Sequence, residues 1–209
     1  MIRHIINIIL LFIFIFAGLL ASCSDDTKLP ALSKDATILA FGDSLTYGTG
    51  TSSNNAYPAA LQRLLQRTVI NAGIPGEISS KGLARLPALI EKYQPALIII
   101  CHGGNDILRK LNLSETSDNI QRMIDLAKSN NSAVILIGVP QFGLFFNSAA
   151  FYEELAEKNN IPISNDILGD IISNNSLKSD RIHPNSQGYQ LLAEDISSLL
   201  QRHGAIPGR

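Results

Sequence analysis

The sequence predicts a three-layer α/β/α sandwich built on a mostly parallel sheet of about five strands. From residue 36 onward, short β-branched runs alternate with longer segments whose apolar residues recur three and four apart. The short runs are apolar throughout rather than at every second residue, which is the pattern of strands covered on both faces. No internal repeat or break in composition divides the 209 residues, so one domain is expected.

The amino terminus stands apart from this pattern. Residues 8–20 form an apolar run behind the terminal amine and Arg3. The run is shorter than the about 20 apolar residues a spanning helix needs, and it ends in small residues as secretory signals do. Leu20-Ala21-Ser22-Cys23 resembles the lipobox of bacterial lipoproteins, which implies a signal peptide at 1–22, cleavage before Cys23 and lipidation of its thiol. Cleavage there removes 22 residues and one charge, leaving 187 residues of net charge −2. Residues 23–35 then hold the lipidated cysteine and a polar tether. By the same resemblance, Ser24 in place of Asp directly after the cysteine favours outer-membrane sorting. The expected location is the cell envelope, on the periplasmic face of an outer membrane where the cell has one and on the extracellular face otherwise.

Residues 36–204 form the expected folded domain. Its strand candidates are residues 37–41, 68–71, 96–101 and 133–137, with a weaker fifth at 161–163. Between them, residues 80–93 read as a helix through Leu83, Leu86 and Ile90, with Pro87 expected to kink it. Ile120, Met123, Ile124 and Ala127 mark another helix, and Tyr189, Leu192, Ala193, Ile196, Leu199 and Leu200 mark a longer one ended by Gly204. Alternation of this kind implies right-handed crossovers and a ligand site at the carboxyl ends of the strands.

Composition narrows the functional classes. With 17 Lys and Arg against 18 Asp and Glu, the chain has no electrostatic footprint for nucleic acid. An apolar fraction of 45% excludes a disordered chain. Once Cys23 is consumed by lipidation, Cys101 has no partner for an internal disulfide and is expected as a small core residue. No cluster of His, Cys and carboxylates has metal-ligand spacing, so neither a metal nor another cofactor is expected.

The strand ends carry polar, specific residues. The first strand runs into Phe41-Gly42-Asp43-Ser44-Leu45-Thr46-Tyr47-Gly48, where flanking glycines let the chain turn sharply and bare the Ser44 hydroxyl. The second is followed by Asn71-Ala72-Gly73-Ile74-Pro75-Gly76 and the third by Cys101-His102-Gly103-Gly104-Asn105-Asp106. Near the carboxyl terminus stands Asp180-Arg181-Ile182-His183-Pro184. These ordered blocks resemble those of the SGNH (GDSL-type) hydrolases, and most of all the bacterial thioesterase I / lysophospholipase / arylesterase group, whose segments Gly82-Leu83-Ala84-Arg85-Leu86-Pro87-Ala88-Leu89 also resembles. The resemblance covers residues 37–200 and implies the flavodoxin-like fold of that family.

A serine hydroxyl needs a base within hydrogen-bond reach and a third group to orient that base. Ser44 is the candidate nucleophile, His183 the base, and Asp180, three residues earlier, the group that accepts the other ring N–H. The resemblance implies an oxyanion hole from the Ser44 N–H, the Asn105 side-chain amide and a glycine N–H. Spacing in the resembled group favours Gly76 over Gly73 for that last donor. Asp43 is expected to hold the Ser44 turn and Asp106 to be structural, while His102 is expected to make a structural hydrogen bond and His203 to sit as a cation at a helix end.

Phe142, Leu144, Phe145 and Phe146 follow the fourth strand, where a loop should be polar, and read either as an acyl-binding wall or as packing under the next helix. The expected activity is hydrolysis of carboxylic esters, and of thioesters, in acyl substrates such as lysophospholipids or aryl and alkyl esters. Deacetylation of a carbohydrate or cell-wall glycan uses the same triad in this family, and a lipoprotein that binds ligand without turnover is the alternative of another class.

Overall fold

The computed structural model describes residues 27–141 and 147–208. The expected signal at 1–22, Cys23 and the four apolar residues Phe142, Leu144, Phe145 and Phe146 lie outside them.

Among the described residues five strands form one parallel sheet in the order β2-β1-β3-β4-β5. They are β1 (Thr37–Gly42), β2 (Thr68–Gly73), β3 (Leu97–Cys101), β4 (Ala133–Ile137) and β5 (Ile163–Ser164). Among the described residues the helices are α1 (Ser44–Tyr47), α2 (Tyr57–Leu65), α3 (Ser79–Tyr93), α4 (Gly104–Leu108), α5 (Leu113–Ser129), α6 (Phe151–Asn159), α7 (Ile167–Ser173) and α8 (Ser186–Arg202). α2 packs with α8, and α3 and α6 both pack against α5, which gives the expected three layers.

The continuous apolar runs became the three central strands. β3 is buried along its whole length, and β1 and β4 are buried after their first residue. Each fully buried Leu or Ile there contributes about 1.5–3 kcal/mol relative to exposure. The helical stripes face this sheet: Ile120, Met123, Ile124 and Ala127 of α5 and Tyr189, Leu192, Ala193, Ile196 and Leu200 of α8 are all buried without measurable exposure.

One expected boundary shifts. β5 begins at Ile163 rather than at residue 161, because only Ile163 and Ser164 pair with Leu136 and Ile137. α3 runs unbroken from Ser79 through Pro87 to Tyr93. Pro87 lies on the exposed face, where water can serve the carbonyl whose partner it removes, while Gly82, Leu83, Leu86 and Ile90 bury the opposite face. The residue before α3 offers no side-chain cap. Asp106 supplies one from α4, accepting the Ser79 N–H at 2.8 Å and the Ser79 hydroxyl at 2.6 Å.

The chain enters the domain at the amino ends of the strands. Leu29 N–H donates to His203 O and Leu32 N–H to Ala205 O, both at 2.8 Å, and the Thr27 hydroxyl donates to Asn160 at 2.9 Å. The His203 ring N–H donates to the Thr27 carbonyl, so this histidine ties the entering segment to the end of α8 in addition to closing that helix.

Candidate active site

The order β2-β1-β3 reverses direction at β1, and the crevice between the carboxyl ends of β1 and β3 is the place where sheets of this type bind ligands. Ser44 leaves β1 on one side of it and Asn105 leaves β3 on the other. β1 and β3 run so close here that a Cβ on Gly42 would fall 2.0 Å from the Cys101 carbonyl oxygen. Glycine at 42 lets the chain pass β3 and turn at once into α1.

Asp43 caps that turn. Its Oδ1 accepts the Leu45 N–H at 3.1 Å, and its Oδ2 accepts the Asn105 Nδ2–H at 3.1 Å, so one carboxyl bridges the crevice. Burial pushes the Asp43 carboxyl up, and nearby His102, the Leu45 N–H, the Asn105 amide and His183 draw it part of the way back.

His183 arrives from the segment between α7 and α8, the farthest part of the chain. The Ser179 N–H on His183 O and the Asn185 N–H on Leu177 O, both at 2.9 Å, close that segment, and Asn185 then caps α8 through the N–H groups of Gln187 and Gly188. His183 Nδ1–H donates to Asp180 Oδ2 at 2.7 Å, which leaves Nε2 to accept the Ser44 hydroxyl at 3.0 Å. Asp180 Oδ1 accepts the N–H groups of Ile182 at 2.8 Å and His183 at 2.9 Å. Burial alone would raise the Asp180 carboxyl, but these N–H groups and the His183 ring outweigh it and hold the group below its usual value. Ser44, His183 and Asp180, expected together, form one unbroken hydrogen-bond chain.

The two candidate glycines part company. Gly73 spends its N–H on Asn71 Oδ1 at 3.0 Å. Gly76 sits at φ +77° in the exposed turn beyond β2, and among the described residues its N–H donates to no protein acceptor. Cys101 is fully buried, and burial pushes its thiol far above the ordinary value, which removes it as a nucleophile. His102 is fully buried and hydrogen-bonded to Glu77 and Gly103. Asp106 is likewise structural, through its bonds to Ser79.

Ser44, His183 and Asn105 open on a pocket whose apolar wall is Leu108, Val139, Pro140, Ile172 and Ile182. A wider groove of about 720 Å³ adjoins it, lined by Ile107, Leu108, Lys110, Gln141, Arg181 and Ile182 beside Asp180. Sequence reasoning placed none of these apolar residues at the site. They come one or two at a time from four different segments, so no local period marks them; the one available signal was that all but Ile172 follow a strand end or neighbour a motif block.

The chain is similar in sequence and fold to known hydrolases. The chain is 32% identical over 173 residues to the thioesterase 1/protease 1/lysophospholipase L1 of Escherichia coli K12, covering 79% of this chain and 83% of that protein. It is 30% identical over 193 residues to the esterase TesA of Pseudomonas aeruginosa, covering 86% and 95%. Among solved structures it is similar to the psychrotrophic esterase EstA from Pseudoalteromonas sp., with a TM-score of 0.71 and 26% identity over 80% of this chain and 98% of that one. Residues 40–191 match the GDSL-like lipase/acylhydrolase family, and the chain, a hydrolase, belongs to it.

Proposed function

We propose that this protein is a serine esterase acting on acyl esters, including lysophospholipids and aryl or alkyl esters, and on thioesters, through an acyl-serine intermediate. The observation that carries the reading is the chain of hydrogen bonds from Asp180 through His183 to the half-buried Ser44 hydroxyl. Ser44 Oγ attacks the acyl carbon while His183 Nε2 takes its proton. Collapse of the tetrahedral intermediate expels the alcohol or thiol, which receives that proton, and water repeats the sequence to free the acid and Ser44. Asp180 keeps the ring in the tautomer that leaves Nε2 free and stabilises the imidazolium. The Ser44 N–H, the Gly76 N–H and the Asn105 amide meet the oxyanion, each worth about 10²–10³ in turnover.

The apolar wall of the pocket at Ser44, continued by Ile107 in the adjoining groove, supports an acyl chain over an acetyl group as the acid part. The test is a series of p-nitrophenyl esters of rising chain length, with lysophosphatidylcholine and an acetylated glycan alongside. Activity extending past eight carbons is expected, and a peak at acetate with loss by eight carbons would remove the acyl reading. Ser44→Ala abolishes hydrolysis of every ester with an unchanged circular dichroism spectrum, and wild-type turnover in that variant would end the triad assignment.

The proposal includes a lipid anchor at Cys23 and a cell-envelope location, supported by the lipobox at 20–23. Cys23→Ser is expected to leave the protein unprocessed or released from membranes. A cleaved product that still fractionates with membranes would overturn the anchor.

A further inference from the structure

The Gly76 N–H belongs to the turn Ile74-Pro75-Gly76-Glu77, closed by the Glu77 N–H on Ile74 O at 3.2 Å. Pro at the second position and glycine at φ +77° at the third mark a type II turn. The peptide between Pro75 and Gly76 is the one whose flip interconverts types I and II, and a flip would reverse the Gly76 N–H. An oxyanion donor in an exposed turn of this kind depends on what holds the turn's flank.

Three side chains hold it. The Glu77 carboxylate receives Arg85 Nε at 2.9 Å on both oxygens and Arg85 Nη2 at 2.6 Å. The same Nη2 donates to Gly42 O at 3.1 Å and Ala72 O at 2.9 Å, so one guanidinium ties the carboxyl ends of β1 and β2 to the residue after Gly76. It lies 4.3 Å over the Phe41 ring, which fixes its plane. From β3's end, the fully buried His102 adds a third arm. Its Nδ1 accepts the Gly103 N–H at 3.0 Å, which places the ring proton on Nε2, 3.2 Å from Glu77 Oε2. Gly82 of α3 makes room for this ring: a Cβ there would come within 2.3 Å of His102 Nε2. On the other side of the turn, Arg109 Nη2 donates to Gly76 O at 2.7 Å. None of Arg85, Glu77 and His102 lines the pocket at Ser44.

We propose that Arg85, Glu77 and His102 form a positioning clamp that sets the Pro75–Gly76 peptide against the Ser44 turn and holds the Gly76 N–H ready for the oxyanion. The clamp rests on the esterase reading and assigns three positioning residues to it, acting through Gly76 and not on substrate. Gly42 O, which the clamp grips, immediately precedes Asp43 and Ser44, so nucleophile and oxyanion donor are fixed to one cation.

Loosening the clamp weakens binding of the transition state and leaves ground-state binding alone. The experiment compares Arg85→Met, Arg85→Lys and the near-isosteric Glu77→Gln with wild type on p-nitrophenyl butyrate. A trifluoromethyl ketone, whose serine adduct places an alkoxide where the oxyanion forms, is measured beside butyrate as inhibitors. Arg85→Met is expected to lower kcat about 100-fold with KM within about twofold, and Glu77→Gln about tenfold, given the cost of one lost donor. Arg85→Lys should recover little, since an ammonium cannot span the carboxylate and two carbonyls at once. Ketone affinity falls by the same factor as kcat/KM, and butyrate affinity does not. Folded Arg85→Met or Glu77→Gln with wild-type kcat, or with a loss confined to KM or to melting temperature, overturns the clamp. Ser44→Ala is run alongside: if it is inactive while the Arg85 variants are unaffected, the clamp alone falls, and if it is active, the esterase reading falls with it.

Discussion

At Asp43, burial and hydrogen bonding pull the carboxyl's proton affinity in opposite directions, and the residue earns its place through what it orients. Its Oδ2 dictates which end of the Asn105 amide faces it. Asp43→Asn keeps an acceptor for the Leu45 cap but turns an NH₂ toward Asn105 Nδ2, donor against donor, so the Asn105 amide must rotate away. A fall in kcat of about 10–100-fold with little change in melting temperature is expected from steady-state kinetics and thermal melts; an unaltered kcat would show that Asn105 is held by other means. Glu77 gives a prediction in pH. Burial raises its carboxyl, but bonds from His102 and Arg85 outweigh that and hold it below the usual value. A lowered acid stabilises the fold above the unfolded-state value, about 4.3, and loses that contribution as pH falls through the folded one. The melting-temperature gap between wild type and Glu77→Gln should therefore be full at neutral pH and close only in acid below that value. A gap that widened on acidification would reverse the sign and refute the assignment. Residue by residue, the triad was legible because Ser44 stands in a strand-end block, Asp180 and His183 lie three apart in another, and the ordered blocks resemble those of one family. Glu77, Arg85 and His102 come from a turn, a helix and a strand end, and no linear spacing relates them.

The elements differ in how plainly they show in the chain. β1, β3 and β4 announce themselves because both faces are buried, which demands unbroken apolar runs. β2 extends two residues beyond its expected end at Asn71 because Ala72 and Gly73 pair with Phe41 and Gly42, and pairing leaves no trace in hydropathy. α2, α6 and α7 have seven to nine residues each, too few turns for a period to stand out. α3 shows tertiary packing overriding a local breaker: the helix continues through Pro87 although one hydrogen bond of its ladder is missing there. Replacing it by alanine removes a helix-interior penalty of about 3 kcal/mol, less the roughly 0.4–1 kcal/mol of unfolded-state entropy that proline saves and any relaxation already present. A gain of about 1–2 kcal/mol in urea unfolding is expected for Pro87→Ala, and a loss would mean that the ring itself makes a contact the helix needs.

In the whole molecule, every group assigned to chemistry sits at the carboxyl end of the sheet, and the entering chain is bolted at the opposite, amino end through Thr27, Leu29 and Leu32. That fold and that site could be foreseen because strand-end chemistry follows from parallel topology; the groove could not, since its walls come together only in three dimensions. The position of the entry point has a bearing on what the enzyme can reach. Three residues separate the proposed anchor at Cys23 from Thr27, four steps of chain that reach at most about 14 Å, whereas a six-residue strand alone spans about 20 Å. With the domain held on so short a leash by that proposed anchor, the hydrolytic face would look outward, away from the bilayer, and the enzyme would serve molecules that diffuse up to it rather than lipids in its own leaflet. Inserting about 20 Gly/Ser residues between positions 26 and 27 would let the domain turn over, since a flexible linker of that length reaches about 25 Å on average. The anchored long-linker protein should then hydrolyse lysophospholipid embedded in its own vesicles several-fold faster, with p-nitrophenyl butyrate turnover unchanged. Equal rates on the embedded lipid would mean that the short leash imposes no heading at all.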